Sequence, residues 1–320
     1  MINPDPKALF GAEEVETFLG LDACDDLDTL TAPVALIAAL GATPYRGAGP
    51  YCRNAPAALR AAMVADAPLV DRHNFDVGGM IFPNPDARAV DCGDLPFDEE
   101  NFAANRAAIR SAIETVRRRG AVPILLGGDD SVPIPMIEAM AGEGPCTILQ
   151  IDAHIDWRDE YRDERMGLSS TMRRASEMSH IERIVQVGAR NVGSAYPEDY
   201  QTACDWGAVI IPARAVHGGG VQPVLEQIPQ GSRIILCVDV DALDPGIVPG
   251  VLGRAPGGLS YFQALDLIEG AAHRGQIVAV DFVEYVPERD VDELGALTVG
   301  NLIMATMGLL ARQAISKDRS

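Results

Sequence analysis

Four short segments group side chains of the types that do chemistry: Asp152-Ala153-His154-Ile155-Asp156, Asp239-Val240-Asp241-Ala242-Leu243-Asp244-Pro245, Gly127-Gly128-Asp129-Asp130-Ser131, and the lone Glu284. In extended chain, residues i, i+2 and i+4 share one face. Asp152, His154 and Asp156 therefore converge, as do Asp239 and Asp241. Gathered in a partly buried site, such groups repel one another unless a cation neutralises them. Carboxylates with one imidazole and no thiolate suit an oxygen-preferring divalent ion such as Mn²⁺. Asp239, Asp241 and Asp244 miss the spacing of a calcium-binding EF-hand, and Pro245 follows where that loop needs further ligands. Either motif alone suits a solvated loop; two of them, each directly after a strand, favour a metal centre.

The elements that position these groups are legible as alternation. Continuous apolar runs at Val34–Leu40, Ala89–Cys92, Val122–Leu126, Thr147–Ile151, Ile184–Val187, Ala208–Ile211, Ile234–Val238 and Ile277–Phe282 predict strands buried on both faces of a parallel sheet. Helical patterns lie between them, clearest at Glu100–Arg118 with Gly120 as its stop, then Ser260–His273 and Thr298–Ala314. This predicts an α/β fold: a three-layer α/β/α sandwich around a mainly parallel eight-stranded sheet. Eight strands also fit a TIM barrel. The four chemical segments each follow a predicted strand, at the sheet edge where ligands bind in open α/β folds. Residues 11–30 are acidic and weakly patterned, so 1–30 read as an N-terminal surface arm with a short helix, and 31–320 as one domain.

The formal net charge of −20 argues against nucleic acid or an anionic membrane as main partner and is compatible with cationic substrates and divalent metals. No basic region followed by an apolar core opens the chain, and no stretch of 18 apolar residues suggests a span. Cys24, Cys52, Cys92, Cys146, Cys204 and Cys237 form no C-x-x-C pair, and several sit in apolar runs. They read as free thiols in a reducing cytoplasm.

Asp152–Asp156 resembles the D-A-H-x-D motif of the ureohydrolase (arginase/agmatinase) family, Asp239–Pro245 its D-x-D-x-x-D-P, and Gly127–Ser131 its G-G-D-H-S. Further segments are similar too: Gly41–Arg60 (G-x-P…R-x-A-P-x-A-I-R), Asp91–Asp94 (D-x-G-D), Pro256–Ser260 (P-G-G-L-T) and Asp281–Asp290 (D-x-V-E-x-x-P-x-x-D). The bacterial agmatinase branch looks closer than the true arginases. The resemblance implies the following expectations. Two Mn²⁺ ions, with Ni²⁺ as the alternative, share Asp152 and Asp239; one ion adds Asp130 and Asp156, the other His154 and Asp241. A water activated by both ions attacks a guanidinium carbon and urea is released. Asp156 also relays a proton to the leaving amine, and Glu284 pairs with the guanidinium. The implied reaction is agmatinase-like, agmatine to putrescine and urea in polyamine metabolism, or a related hydrolysis of a guanidino acid or guanidine. Trimers or hexamers are implied as well.

Two positions depart from the family. Asp130 stands where a histidine ligand is usual, giving five carboxylates and one imidazole. The S-H-G-T that usually precedes R-R-A is replaced by the Met166–Thr171 segment ahead of Arg173-Arg174-Ala175, so the proton-shuttling histidine has no counterpart. His180, His73, His217 and His273 read as structural. These departures leave a second reading open: a non-catalytic ureohydrolase-like subunit that supports an active relative. A zinc deacylase of the same fold would need tandem histidines, and no His-His pair occurs. The loop Arg158–Arg165 (Arg-Asp-Glu-Tyr-Arg-Asp-Glu-Arg) belongs beside the substrate tail. Its acids could hold an amine and its arginines a carboxylate.

Overall fold

The structure, a computed structural model, describes residues 15–193 and 195–317; the opening part of the expected arm lies outside the described residues. Among the described residues, nine strands form one sheet: β1 Asp22–Ala23, β2 Val34–Ala38, β3 Ala89–Asp94, β4 Val122–Leu126, β5 Cys146–Ile151, β6 Ile181–Val187, β7 Val209–Ile211, β8 Arg233–Asp239 and β9 Gln276–Val283. Their order is β1-β3-β2-β4-β9-β8-β5-β6-β7, and each neighbouring pair is parallel. The eight predicted runs all form strands. The sheet has two open edges, β1 and β7, so the TIM-barrel alternative is excluded. The ninth strand, β1, pairs Asp22 with Val90 and Ala23 with Asp91 through backbone alone. Both its residues are exposed, so it carries no apolar signature.

Successive side chains of a strand point to opposite faces, and the core divides accordingly. On one face Leu149, Ile151, Val185, Val187, Leu236, Val238, Val280 and Phe282 pack with the helices Tyr261–Arg274 and Leu294–Lys317. On the other, Ile148, Ile184, Ile235, Cys237 and Ala279 pack with Phe102–Arg118 and Pro133–Ala139. Each fully buried Ile, Leu or Val contributes roughly 1.5–3 kcal/mol, and this double-sided burial is what makes the central strands read as unbroken apolar runs.

Helix ends follow local chemistry. The first long helix starts at Phe102, not Glu100, because the Asn101 side chain accepts from the Ala104 amide at 3.1 Å. Ser260 and Gln263 cap each other's backbone amides at 3.2 and 3.0 Å ahead of Tyr261. The last helix begins at Leu294, earlier than predicted. Asp290 accepts there from the amides of Gly295 and Ala296 at 2.9 and 3.1 Å. No 18 consecutive residues are apolar, but the helix Leu294–Ala314 is long and apolar enough by length and composition to cross a membrane. That stretch is mostly buried inside the fold, as the core helix of the first face. Phe18 and Leu19, within the expected surface arm, are buried in the same core as part of a 3-10 turn, Phe18–Gly20.

Candidate active site

The strands β4, β9, β8 and β5 are consecutive neighbours, so their carboxyl ends lie side by side at the centre of the sheet. Each delivers one segment: Gly127–Ser131 after β4, Glu284 after β9, Asp239 and Asp241 at the end of β8, and Asp152–Asp156 after β5. Chain order and strand order part company here, the geometry that opens a ligand crevice in doubly wound sheets. Ligand atoms of Asp152, His154, Asp239 and Asp241 all lie within 4.8 Å of one another, as do those of Asp130, Asp152 and Asp156. The six expected ligands thus come together as two overlapping groups. Asp152 is common to both, and Asp239 falls within one. Asp244 serves elsewhere: its carboxylate accepts from the amides of Gly246, Gly257 and Gly258 at 2.9, 2.9 and 3.1 Å, tying the two loops together.

The electrostatics are those of an acidic cluster short of cations. Burial and then neighbouring carboxylates push Asp130, Asp156 and Asp239 well above the usual carboxylate range. Burial likewise raises Asp152. Asp241 goes the other way: burial opposes its charge, but hydrogen bonding to His154 outweighs it. Burial works against the His154 imidazolium too, yet Asp152 at 3.5 Å and Asp241 at 3.2 Å hold it up to about 12. Among the described residues, His154 is the one ion-pair partner of these carboxylates. One Asp130 oxygen, Oδ2, is buried without a hydrogen-bond partner. Oxygen-rich donors, surplus negative charge and an orphaned carboxylate oxygen all fit a pair of divalent cations, which would relieve the repulsion that raises the pKa values.

A second layer, not anticipated from the sequence, fixes the carboxylates. Gln150 Nε2 donates to Asp152 Oδ2 at 2.6 Å and to Asp156 Oδ2 at 2.7 Å. Its own Oε1 accepts from Gln186 Nε2 at 2.5 Å, and Gln186 Nε2 also reaches the Ile155 carbonyl at 2.7 Å. Gln150 and Gln186 are register partners on β5 and β6. A polar side chain within a run otherwise buried and apolar was the available signal for both. Arg190 donates to the carbonyls of Asp241, Ala242 and Ala255 at 2.6, 3.1 and 2.8 Å, fixing the β8 loop from outside. Gly188 sits at φ +115°, where a Cβ would lie 2.5 Å from the Asp152 carbonyl oxygen, so no side chain fits beside that ligand.

Glu284 is held by a donor set of its own. Tyr51 donates its hydroxyl to both carboxylate oxygens, at 2.7 and 2.8 Å, and the Asp130 amide donates to Oε1 at 2.9 Å. Burial, then Asp129, pushes Glu284 up to about 8. Asp156 and Glu284 adopt φ values of +43° and +69°. Left-handed backbone at non-glycine residues costs on the order of 1–3 kcal/mol and clusters at functional sites. Both residues line a cavity of about 330 Å³ together with Asp130, His154, Asp239 and Asp241. Leu168 and Ser169, from the segment that departs from the family, line it too. Among the described residues His154 is its sole histidine. His180 meets the Ile137 carbonyl at 2.9 Å, His217 that of Gly257 at 3.2 Å, His73 packs edge-on to Phe75, and His273 sits in the last turn of a helix. Of the loop Arg158–Arg165, Arg158 and Tyr161 line this cavity.

The pattern of the arginase family matches residues 38–308. The chain is 30% identical over 268 residues to the mitochondrial agmatinase of Gallus gallus, covering 82% of this chain and 76% of that protein. It is 30% identical over 322 residues to the guanidinopropionase of Pseudomonas aeruginosa, covering 98% and 99%. A crystal structure described as a hypothetical agmatinase from Burkholderia thailandensis superposes with a TM-score of 0.79 at 26% identity, covering 94% of this chain and 92% of that one. The chain belongs to the arginase family.

Proposed function

We propose that the chain hydrolyses a guanidino compound to urea and an amine, with Asp130, Asp152, His154, Asp156, Asp239 and Asp241 holding two divalent cations. The observation that carries this reading is a buried carboxylate, Glu284, lining the same cavity as the ligand clusters but engaged by Tyr51 and the Asp130 amide. When bound, the cations supply Lewis acidity that makes water nucleophilic near neutral pH. Glu284 then pairs with the substrate guanidinium and orients its carbon toward the ligand cluster. Asp156 takes the proton lost by the attacking water and passes it to the amine as the new C–O bond forms and the C–N bond breaks. Tyr51 and the Asp130 amide keep the Glu284 oxygens in place.

The donor set favours Mn²⁺, with Ni²⁺ as the alternative. Exposed Phe262, Val291, Leu294 and Leu297 support self-association, read here as trimers or hexamers, and six free cysteines support a cytoplasmic setting. The net charge of −20 supports a protein that meets neither nucleic acid nor membrane. Asp130 in the ligand cluster, and a cavity whose only histidine among the described residues is His154, favour the second reading of a non-catalytic partner subunit. A urea-release assay on metal-loaded protein with agmatine, arginine, guanidinobutyrate, guanidinopropionate and guanidine tests the proposal. Metal-dependent urea from one of these is expected. Full metal content with no urea from any of them overturns it and leaves the partner-subunit reading.

A further inference from the structure

We infer that Arg158 anchors a substrate carboxylate, so that this site takes short guanidino acids in preference to guanidino amines; this rests on the hydrolytic reading above. Among the described residues, Arg158 is the only arginine or lysine lining the cavity that holds Glu284 and the ligand clusters. It is built in. Its guanidinium lies 5.3 Å from the Tyr161 ring centroid and 5.2 Å from that of Tyr196, and its backbone amide donates to the Ser169 carbonyl at 3.0 Å. Tyr161 in turn packs on Tyr45 with centroids 4.8 Å apart, and the Tyr45 hydroxyl shares a 2.5 Å hydrogen bond with Ser169 Oγ. A guanidinium stacked between aromatic faces loses little freedom when it grips a planar carboxylate.

Two acids of the same loop are held by other partners. Asp159 accepts from Arg174 at 2.6 Å and from Arg165 at 3.0 Å, and Glu164 accepts from the Met166 amide at 2.8 Å. Asp163 and Glu164 line a separate cavity of about 670 Å³, where Arg46 and Arg162 balance them. None of the four loop acids lines the active-site cavity. The arrangement complements a zwitterion with its guanidinium on Glu284 and its carboxylate on Arg158. A diamine-like substrate would place a second cation against Arg158.

Guanidinobutyrate, n-butylguanidine and agmatine share a chain length and differ in tail charge. The test measures both urea release and calorimetric binding of the three to metal-loaded protein. Guanidinobutyrate should exceed butylguanidine by about tenfold or more in kcat/KM and in affinity, the scale of one charge-assisted hydrogen-bonded pair, with agmatine below both. Arg158→Ala should bring the guanidinobutyrate-to-butylguanidine ratio of kcat/KM close to one, chiefly through the KM for guanidinobutyrate, Arg158→Lys should keep part of the ratio, and Arg158→Glu should favour agmatine. Equal treatment of guanidinobutyrate and butylguanidine, a wild-type preference for agmatine, or an equal loss for every substrate in Arg158→Ala overturns the inference. Selective, Arg158-dependent binding of guanidinobutyrate without urea release would sustain it while the hydrolytic reading falls.

Discussion

Arg60 and Asp91 face each other through two parallel hydrogen bonds, Nε to Oδ2 at 2.8 Å and NH2 to Oδ1 at 2.9 Å, pinning the helix Ala55–Ala62 to β3. Arg60 also reaches Asp94 at 2.5 Å, and Asp91 accepts from the amides of Phe18 and Gly93, both at 2.9 Å. One buried carboxylate therefore organises the edge of the sheet and the chain leading into it. Removing its partner strands a buried charge, so Arg60→Met should cost about 3–5 kcal/mol, read as a lower denaturation midpoint. Burial alone would raise the Asp91 pKa, but the bonds from Arg60 outweigh it and hold the group below its ordinary value. Its stabilising contribution in the wild type is thus fully present above the unfolded value of about 3.9 and is lost only as pH falls through the lower folded value. In Arg60→Met only the Phe18 and Gly93 amides still oppose burial, so the folded value rises and protonation relieves the variant as pH falls. The stability gap between the two proteins should narrow as pH falls toward the unfolded value of about 3.9. A gap independent of pH would mean that the loss is one of packing alone.

Both ends of that pair lie in segments whose family resemblance is visible in the sequence, although their meeting is not. What is legible follows burial. The central strands are covered on both faces and betray themselves as apolar runs, whereas β1 pairs through its backbone and leaves Asp22 and Ala23 exposed. The proposed metal ligands are legible because they crowd at or just past the ends of β5 and β8, although turns rather than extended chain bring them together: Asp241 lies in the 3-10 turn Val240–Ala242 and Asp156 at φ +43°. Tyr51 and Arg190 come from other elements, and tertiary placement alone brings them to the site, whereas Gln150 sits on β5 itself, two residues before Asp152. The loop Arg158–Arg165 left both charge signs available. Packing decides which of them faces the cavity.

Glu284 should be separable from metal binding. Glu284→Gln removes a charge that would hydrogen-bond the guanidinium, and activity should fall by about tenfold or more with metal content unchanged. Tyr51→Phe should lower kcat/KM by about fivefold, because the carboxylate loses the donor shared by both its oxygens. The double variant should lose less than the product of the two, since the phenol acts through the carboxylate. Fully multiplicative losses would give Tyr51 a role of its own.

Gln150 should matter to the metals without touching them. It is buried and donates to two ligand carboxylates. Gln150→Leu keeps the volume but removes both hydrogen bonds, and outer-layer partners of this kind are worth about 10–100-fold in metal affinity. Competition with a chelator would measure that loss against an unchanged circular dichroism spectrum. Wild-type affinity in the variant would show that Asp152 and Asp156 need no outer support.

Asp130 is the position where this chain departs from its family inside the ligand cluster. Its ligand oxygen lies within 4.8 Å of those of Asp152 and Asp156, and one of its oxygens is buried without a partner. Asp152 belongs to both groups and Asp130 to one. Elemental analysis after Mn²⁺ loading should therefore grade the variants: Asp152→Ala should lose both ions, and Asp130→Ala one. The extra carboxylate strengthens the hold on a hard dication but leaves less Lewis acidity for water. Asp130→His removes that charge and restores the family's imidazole, so Mn²⁺-dependent urea release should rise. Its carboxylate also adds to the repulsion that raises Asp239, and relief there works in the same direction. Two ions retained in Asp130→Ala would show that Asp130 is a loop residue beside the metals and no ligand at all.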